Sequence, residues 1–560
     1  MESYPTWPNL ATMMFDLAKK WPHKALFRAY RDNSWHSTTW EEFGRMTASC
    51  ARHLRALGIA PGDRVVICAE SRPDYPIAEV ALMAIRAVPV PTYTTNTIDD
   101  HAHILRDSGA RAAIVSSGIL AQRVRLAAEK AGGIDLLLEM GSDHWAGMLA
   151  DTMPADDLIR DAAVIPSTAL ACLIYTSGTG GPPRGVMLPH RCILSNCRGA
   201  FDLIRPLHLK NEIYLSYLPL SHSYEHTVGN FFFASLGSEI VYSRGVEHLA
   251  ADMLTVRPTI LTAVPRVLEV IRARVLSQAG RQPGWKQHLF NRAIDIGQKR
   301  VDGTALSLSD RVIDPVLQRF VRAKILDRFG GRLKAAVSGG ARLEPDVGRF
   351  FLALGLTLLQ GYGQTEAGPV ISATRPDAIR IDTVGPPLLG VDLRLADDGE
   401  ILVHGDLVMD GYWGRPADTE LAIQDGWLHT GDIGVIDQNG NLRITDRKKD
   451  MIVLSGGENV SPAKIEGMLM AEPEIAQAVV AGDGRSGLTA LLVAAEGHDE
   501  VTVALAITRA NHRLSVTERI RRHAVVPAFT VDNGLLTPTQ KIRRLLVIRA
   551  NHDVLARLHG

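Results

Sequence analysis

Short apolar runs alternate with amphipathic helical patterns along most of the N-terminal two thirds of the chain. Strand-like runs occupy Arg64–Cys68 and Ala112–Val115, and helical patterns follow them at Ile77–Ala87 and Ile119–Ala131. Strands that alternate with helices in this way build βαβ units and layered α/β folds. The pattern therefore predicts a large part of the chain made of layered α/β subdomains.

The pattern changes near Val384, where short strand-like runs separated by glycines begin. These runs lie at Val391–Ala396, Glu400–His404, Gly434–Asp437 and Asn441–Thr445. They predict a small β-rich subdomain over about residues 384–448. The charged stretch Asp446–Asp450 follows, and a new α/β pattern runs from there to the C-terminus. A run of charges is most often a solvated turn, but it is also the composition of a hinge. We expect an N-terminal domain, residues 1–448, and a small mobile α+β domain, residues 449–560, with the hinge near Lys449.

Composition and charge exclude several classes of protein. The chain has 560 residues, 46% hydrophobic and 22% charged, and its 61 Lys and Arg balance its 61 Asp and Glu. These values describe a soluble globular protein and give no support to nucleic-acid binding. Five scattered cysteines without metal-ligand spacing favour a reduced, cytoplasmic location. We see no secretion signal, and no apolar run approaches the ~18 residues that span a bilayer. A peripheral contact with the inner membrane face and a homodimer stay open.

The segment from Tyr175 to His190 has the composition of a phosphate-binding loop. The apolar run Ala169–Ile174 predicts a buried strand before it, and a helix-prone segment begins at His190. Between them, glycines, hydroxyl residues and Arg184 could present N–H groups and one cation to a polyphosphate. The segment is not a Walker loop, because Val186 stands where Lys is required. The structural alternative is an ordinary Gly/Pro turn between strand and helix.

A second candidate segment, Gly361–Glu366, follows the apolar run Leu354–Leu359, which predicts a strand. Its glycines let a ligand approach the backbone, Tyr362 offers a flat face to a base, and Thr365 offers a hydroxyl to a phosphate. Glu366 supplies the hard oxygen that Mg²⁺ prefers. Taken alone, the segment is as consistent with a structural turn.

Together these segments resemble the adenylate-forming superfamily of acyl-CoA synthetases, luciferases and nonribosomal adenylation domains. The family loop has the pattern Tyr-Thr-Ser-Gly-Thr-Thr-Gly-x-Pro-Lys-Gly, and this chain departs from it at Gly180 and Arg184. Arg184 keeps a charge in place of the Lys, whereas Gly180 removes a hydroxyl and loosens the loop. ATP affinity or rate could decrease, but the reaction class need not change.

The resemblance implies an ATP/AMP site built from both segments and from motifs further along the chain. Its residues would be Thr176, Ser177, Gly178, Thr179, Gly180, Gly181, Arg184, Gly340, Ala341, Gln360, Gly361, Tyr362, Gly363, Thr365, Asp432, Arg447 and Lys541. Tyr362 would stack on adenine, and Asp432, at the end of the turn-like Trp427–Asp432, would bind the ribose with help from Arg447. Glu366 and Thr176 would hold Mg²⁺. The catalytic residues would be Lys541, Thr365, Glu366 and Arg184, since displacement at phosphorus builds negative charge that fixed donors must neutralise.

The resemblance also implies acyl and CoA sites and a conformational change. His222, Gly339 and Gly340 would border the acyl pocket, and Ser455, Gly456, Gly457 and Glu458 would line the CoA tunnel. Lys449 falls at the family's hinge position. Lys541 ends the frame Leu536-Thr537-Pro538-Thr539-Gln540-Lys541, and it would cross the gap between the domains to reach the reacting carboxylate and α-phosphate.

One motif has a competing interpretation. The sequence His222-Ser223-Tyr224-Glu225-His226 satisfies the His-x-x-Glu-His pattern of a zinc peptidase class. However, Tyr214–Leu220 predicts a strand, and Pro219 and Ser221 indicate a loop, so the motif would open a helix rather than lie inside one. The segment resembles the superfamily's Pro-Leu-x-His element beside the carboxylate pocket. An acyl-site or packing role is therefore favoured over zinc.

The motifs occur in the superfamily's order from Thr176 to Lys541, and the chain looks most like bacterial long-chain acyl-CoA synthetases. The implied reaction activates a medium- or long-chain fatty acid, or a related carboxylic acid, with ATP and Mg²⁺ to an acyl adenylate. Transfer to CoA then gives acyl-CoA, AMP and pyrophosphate. Two alternatives stay open: a ligase that delivers the acyl group to a carrier-protein thiol, and a catalytically weakened nucleotide-binding homologue.

Overall fold

A computed structural model of the protein describes residues 3–151, 153–176, 182–456, 458–537 and 541–559. Of the predicted site residues, Ser177, Gly178, Thr179, Gly180, Gly181 and Gly457 lie outside the described residues. The predicted α/β class is confirmed, with layered α/β subdomains, a small β-rich subdomain and a C-terminal α+β domain.

The N-terminal subdomain is built around a parallel sheet. Its elements are α1 (Leu10–Lys20), β1 (Ala25–Arg31), β2 (Ser34–Thr39), α2 (Trp40–Ala56), β3 (Arg64–Cys68), α3 (Asp74–Ala84), β4 (Val88–Pro91), α4 (Ile98–Ser108), β5 (Ala112–Ser116), α5 (Ile119–Ala131), β6 (Leu136–Met140), α6 (Asp143–Leu149) and α7 (Asp156–Ala163). Parallel strands in the order β4-β3-β5-β6 form one sheet. The apolar runs at β3 and β5 are continuous because helices cover both faces of such a sheet.

The middle of the chain supplies a second, larger sheet. Its elements are β7 (Leu170–Thr176), β8 (Arg184–Pro189), α8 (His190–Ile204), β9 (Ile213–Ser216), α9 (Phe233–Ser235), β10 (Glu239–Tyr242), α10 (Leu249–Val256), β11 (Ile260–Ala263), α11 (Pro265–Gly280), α12 (Gly284–Val301), α13 (Leu308–Leu317), α14 (Ala323–Leu326), β12 (Ala335–Ser338), α15 (Pro345–Ala353), β13 (Leu358–Gly363) and β14 (Val370–Ala373). Two π-helical segments, Glu225–Phe232 and Gln318–Arg322, precede α9 and α14. The sheet has the order β14-β13-β12-β11-β9-β10-β1-β2, parallel except at its two edge strands.

Two sequence-based boundaries in this region are corrected. The predicted strand Leu354–Leu359 begins only at Leu358, because α15 runs to Ala353 and Gly355, with φ of +87°, ends it. The segment Tyr175–His190 is predicted to connect a strand directly to a helix. The structure instead has two antiparallel strands there, β7 and β8, and α8 begins only at His190.

Short strands form a β-rich group in the region of the glycine-punctuated runs. Its elements are β15 (Asp392–Leu395), β16 (Glu400–His404), β17 (Gly411–Tyr412), α16 (Pro416–Ala422), β18 (Ile423–Gln424), β19 (Trp427–Ile436) and β20 (Leu442–Arg447). β17 leaves this group and pairs with β8. Asp432, expected at the end of a turn, lies inside the long strand β19, where it is the register partner of Arg447 on β20. Gly431, with φ of +70°, gives this strand the local irregularity that the sequence suggested as a turn.

The C-terminal part has its own sheet and core. Its elements are β21 (Ile452–Val453), β22 (Asn459–Val460), α17 (Pro462–Met470), β23 (Ile475–Ala481), β24 (Leu488–Ala494), α18 (Glu500–His512), β25 (Ile520–Val525), α19 (Arg544–Ala550) and α20 (His552–His559). Strands in the order β23-β24-β25 form the sheet, and the apolar side chains of Leu491 and Leu492 on the central strand are fully buried. In the part of the chain that the structure describes, no helix is both long and apolar enough to cross a membrane.

Candidate active site

The candidate site lies at the carboxyl edge of the large sheet. Parallel strands β9, β11, β12 and β13 all end there, so the loops that follow them meet. Gly339 and Gly340 follow β12, Thr365 and Glu366 follow β13, and His222 follows β9. The topology thus brings together the predicted phosphate, adenine and acyl segments, which are far apart in the sequence.

Three residues predicted for adenine and ribose form one cluster. The Tyr362 hydroxyl donates to Asp432 Oδ2 at 2.7 Å, and Arg447 Nε lies 3.1 Å from Asp432 Oδ1. Burial raises the pKa of the Asp432 carboxyl, while Arg447 and the Tyr362 hydroxyl oppose that rise. The carboxylate is therefore held in a fixed orientation by one donor on each oxygen.

Lys541, from the C-terminal part, reaches this cluster. Its ammonium interacts electrostatically with Arg447, Asp432 and Glu366. Lys541 as a whole residue is exposed to solvent, but its ammonium group has many protein atoms around it. This desolvation, together with the positive charge of Arg447, lowers the pKa of Lys541. Two hydrogen bonds join Lys541 to Thr537: the Lys541 backbone N–H donates to Thr537 Oγ1 at 2.9 Å, and the Lys541 carbonyl accepts from Thr537 N at 2.8 Å.

His222 borders the same space in a neutral form. Burial, together with the charge of Lys541, lowers the pKa of His222 to about 4. Its Nδ1 accepts from the Tyr224 N–H at 3.1 Å, so the ring proton lies on Nε2. Next to it, Ser223 Oγ lies 3.0 Å from Thr365 Oγ1, which ties the β9 loop to the β13 loop. The site thus offers a neutral imidazole donor beside a lysine cation.

Sequence reasoning missed one residue of the site, Tyr412. Its hydroxyl donates to Glu366 Oε1 at 2.9 Å and accepts from Arg184 Nη2 at 3.2 Å. The Arg184 guanidinium also stacks on the Tyr412 ring, 4.0 Å from its centroid, and lies 3.7 Å from Asp418. Tyr412 therefore links Arg184, the cation of the predicted phosphate-binding segment, to the predicted metal-binding carboxylate. A tyrosine after a glycine in a two-residue strand carries no sequence signal for this role.

The hydrogen bonds of the Glu366 carboxylate leave one of its oxygens able to bind Mg²⁺. Among the described residues, only Oε1 accepts a hydrogen bond, so Oε2 is free to bind a hard cation. Thr176, the second predicted ligand, ends β7 and is the register partner of Arg184 on β8. Thr176 and Arg184 are thus neighbours across the two strands that precede and follow residues 177–181 in the sequence.

An apolar cavity adjoins the site. It encloses about 570 Å³, part of which is open to solvent, and the described residues line it with apolar surface. The lining comes from α8, the π-helix and strands β11–β14, and it includes Ala200, Leu203, Val228, Phe232, Val337 and Gly361. Tyr224 also lines it and closes against Gly339, where a Cβ would lie 3.1 Å from the Tyr224 ring. Gly339 therefore leaves the room that the Tyr224 ring needs at this end of the cavity.

The remaining predicted residues have varied surroundings. The Gln360 side chain points into the protein, where Nε2 donates to the carbonyls of Ile381 at 2.6 Å and Thr383 at 3.3 Å. Gly340 and Ala341 are exposed, and Gly340 has φ of +80°. Ser455 and Gly456 form an exposed turn between β21 and β22. Glu458 is exposed beside them, and Lys449 is exposed in the turn after β20.

The zinc interpretation of His222–His226 finds no support in the described residues. Glu225 accepts from Ser216 at 2.6 Å and from Tyr214 at 2.8 and 2.7 Å, while His226 Nε2 pairs with Glu79 at 2.6 Å. The motif opens the π-helix, as its flanks predicted, and no cluster of three metal-binding side chains occurs in this part of the chain.

Comparisons with known proteins identify the family. A family model described as AMP-binding enzyme matches residues 15–413, and one described as AMP-binding enzyme C-terminal domain matches residues 449–556. The long-chain-fatty-acid–CoA ligase FadD15 of Mycobacterium tuberculosis (strain ATCC 25618 / H37Rv) is 33% identical, covering 96% of this chain and 95% of that protein. The peroxisomal long chain acyl-CoA synthetase 6 of Arabidopsis thaliana is 29% identical, covering 90% and 79%.

Solved structures share the fold. ATP-bound MatB from Rhodopseudomonas palustris has a TM-score of 0.75 at 22% identity, covering 98% of this chain and all of that one. A fatty acyl CoA synthetase of Mycobacterium tuberculosis has a TM-score of 0.66 at 23% identity, covering 96% and 97%. The fold and the matched residues define an adenylate-forming enzyme. This chain belongs to the AMP-binding enzyme family, and the expected enzyme class, an AMP-forming acid–thiol ligase, is confirmed.

Proposed function

We propose that the protein activates a medium- or long-chain fatty acid with ATP and transfers the acyl group to CoA, releasing AMP and pyrophosphate. The main support is one observation: Lys541 lies close enough to Glu366, Asp432 and His222 for its charge to interact with all three. The relatives that match nearly the whole chain are named as fatty-acid–CoA ligases, which supports both substrates.

The first half-reaction, formation of the acyl adenylate, would take place in the observed arrangement, with Lys541 beside Asp432 and Arg447. A carboxylate oxygen of the fatty acid attacks the α-phosphorus of ATP, and the bond from that phosphorus to the bridging oxygen breaks, so pyrophosphate leaves. Asp432 would hold the ribose hydroxyls and Tyr362 would stack on adenine. Lys541 and Thr365 would neutralise the charge that grows on the α-phosphate oxygens. His222 Nε2–H would orient the attacking carboxylate, since the imidazole is neutral and can donate.

The β- and γ-phosphates of ATP, which leave as pyrophosphate, would be bound by Arg184, Glu366 and Thr176. Arg184 lies at the base of the loop at residues 177–181, and its charge would bind the β- and γ-phosphates. Glu366 Oε2 and the Thr176 hydroxyl would hold Mg²⁺, which supplies charge neutralisation on the phosphates when it is bound. Exposed Gly340, Ala341 and Gly363 and half-buried Gly361, with the backbone of Gln360, would border the adenine.

The second half-reaction would need a different arrangement of the two domains. We place the domain boundary at residues 448/449 and the hinge at Lys449, in the exposed turn between β20 and β21. Rotation there would withdraw Lys541 and bring in the turn that contains Ser455, Gly456 and Glu458. The CoA thiolate would then attack the acyl carbonyl carbon, and the bond to the AMP oxygen would break. Two arrangements allow one pocket to serve two reactions.

The fatty acyl chain would occupy the apolar cavity. Its apolar lining can accept methylene groups but cannot satisfy a polar chain. His222, Gly339 and Gly340 would border the carboxyl end of such a chain, where it would meet the nucleotide. We further propose a cytoplasmic location with peripheral contact at the inner membrane face, where long-chain acids partition.

Pyrophosphate release and thioester formation, measured across carboxylic acids of increasing length with and without CoA, test this function. We expect pyrophosphate release to rise with chain length and acyl-CoA to form only when CoA is present. Pyrophosphate release with no acyl-CoA would indicate a carrier-protein thiol as the acceptor. No acid-dependent release at all would indicate a weakened nucleotide-binding homologue, in which Gly180 and Arg184 impair the phosphate loop.

A further inference from the structure

The outer face of the helix at residues 308–326 carries an exposed apolar ridge. This helix consists of α13, the π-helical segment Gln318–Arg322 and α14. Leu308, Val312, Val316 and Phe320 are spaced four residues apart and are 81%, 79%, 52% and 58% exposed. Residues at this spacing lie on one face of a helix, so they form a line about 18 Å long. Single exposed apolar residues are ordinary, but a continuous line marks an interaction surface.

The acidic residues of this helix are used on its inner side. Asp310 is buried and pairs with Arg292 and, at 3.3 Å, with Lys299. Asp314 is buried and pairs with Arg300 and, at 2.7 Å, with Arg322. These pairs hold both carboxylates away from the cations on the outward-facing side of the same helix.

Arg311, Arg319 and Lys324 are those outward-facing cations, and all three are exposed. Among the described residues, no carboxylate lies within 4.0 Å of any of them. The whole chain is neutral, yet residues 281–332 contain eleven Lys and Arg against five Asp and Glu. The surface thus combines a line of apolar side chains with a local excess of positive charge.

We propose that this face, defined by Leu308, Val312, Val316, Phe320, Arg311, Arg319 and Lys324, docks the protein on the surface of an anionic lipid bilayer. Apolar side chains flanked by cations on one helix face insert at the boundary between headgroups and acyl chains, and the cations bind anionic headgroups. A second copy of the chain fits less well, since a two-fold contact would bring the outward-facing cations of both copies together. The proposal specifies the surface behind the peripheral membrane contact, and it does not depend on the reaction that the enzyme catalyses.

Flotation with lipid vesicles, without ATP or CoA, tests the proposal on the full chain. We expect the protein to float with vesicles of equal phosphatidylglycerol and phosphatidylcholine, but not with phosphatidylcholine alone, and to dissociate at high salt. Val312→Ser with Phe320→Ser should weaken binding about tenfold, and Arg311→Gln with Arg319→Gln should weaken it to a similar extent.

The matched control is Val501→Ser with Leu505→Ser on α18, where the two side chains are 69% and 59% exposed at the same four-residue spacing. This variant should float like the parent protein, and thermal melting confirms that each variant is folded. Equal binding to neutral and anionic vesicles, or parent-like binding by both the ridge and the cation variants, would overturn the proposal. The proposal would also be overturned if the parent protein is a dimer in solution and the ridge variant is a monomer that binds vesicles like the parent. The face would then be a contact between two copies of the chain.

Discussion

Tyr412 is the residue whose contribution is clearest from geometry and least visible in the sequence. Its hydroxyl bonds both Glu366 and Arg184, and its ring supports the Arg184 guanidinium. Tyr412→Phe keeps the ring but removes the hydroxyl, so Glu366 and Arg184 lose their common partner. We expect the rate of ATP–pyrophosphate exchange to fall about tenfold, since a hydrogen bond to a charged group contributes about 1.5 kcal/mol.

The matched control is Tyr30→Phe, because Tyr30 also lies under an arginine, with Arg244 5.0 Å from its ring centroid, but in another part of the fold. That substitution should leave exchange unchanged. If Tyr412→Phe exchanges at the parent rate, the hydroxyl does not position the phosphate-binding groups.

At this scale, the sequence identifies residues that belong to a spaced motif and fails for those that act alone. Asp432 and Lys541 could be predicted from their motifs, although Asp432 lies within a strand rather than at a turn. Tyr412 could not, because its partners are 46 and 228 positions away in the chain. No local pattern reports a hydrogen bond across such a separation.

The π-helix Glu225–Phe232 contains a buried carboxyl group whose titration can be measured. Glu225 accepts from the hydroxyls of Tyr214, Ser216 and Thr262, yet burial raises its pKa from the ordinary 4.5 to about 7. Between these values the folded protein holds a proton that the unfolded chain has lost. The stabilisation from Glu225 is therefore full below about pH 4.5 and is lost as the pH rises through about 7.

Glu225→Gln removes this titration while keeping groups that can bond the three hydroxyls. We expect the melting temperature of the parent protein, relative to the variant, to fall as the pH rises from 5 to 8. Differential scanning fluorimetry on both proteins across this range measures the difference, and other titrating groups cancel in the comparison. A difference in melting temperature that is constant with pH would show that Glu225 does not titrate in this window.

The same π-helix and α8 supply side chains that line the apolar cavity. Ala200 lines the cavity from α8, opposite side chains such as Val228 and Phe232. Ala200→Phe would fill space that the end of a long acyl chain needs, so kcat/KM should fall at least about tenfold for a long acid, given roughly 0.8 kcal/mol per CH₂ that is no longer buried. The rate with a short acid serves as the internal control and should stay near that of the parent. Equal losses for both acids would place the chain elsewhere.

The sequence predicts a helix or strand well when one or both faces of that element are apolar. It does not predict an element whose backbone geometry depends on packing against distant residues. The runs at β3 and at Ile119–Ala131 match the observed elements, because continuous or periodic burial leaves a direct trace in the sequence. The π-helical register of Glu225–Phe232 leaves no such trace. Its His226 is fixed by Glu79, which lies on α3, 147 positions away.

At the scale of the whole molecule, residues of the C-terminal part lie against residues of the N-terminal part. Arg543, two residues after Lys541, lines a cavity together with Tyr175 of β7 and Pro183, which directly precedes β8. Gly467 of α17 comes so close to Glu344 that a Cβ would lie 2.6 Å from the carboxylate. The sequence predicted the order of the motifs and the existence of a C-terminal part. It could not predict these contacts, since they depend on how separately folded surfaces fit.

This arrangement places Lys541 near Asp432, Arg447 and Glu366. The two proposed half-reactions should therefore respond differently to changes in the C-terminal part. Lys541→Ala should slow acyl adenylate formation by about 10²–10³-fold, because one fixed cation is lost from the charge that develops at phosphorus. Supplied acyl adenylate should still react with CoA at a rate near that of the parent, since Lys541 would have left the site by then. Lys449→Pro, which stiffens the turn after β20, should have the opposite effect and spare adenylation while slowing thioester formation. Single-turnover assays of each half-reaction measure both variants, and each variant is the control for the other. If Lys541→Ala slowed both steps equally, one arrangement of the domains would serve both reactions, and rotation about Lys449 would not be needed.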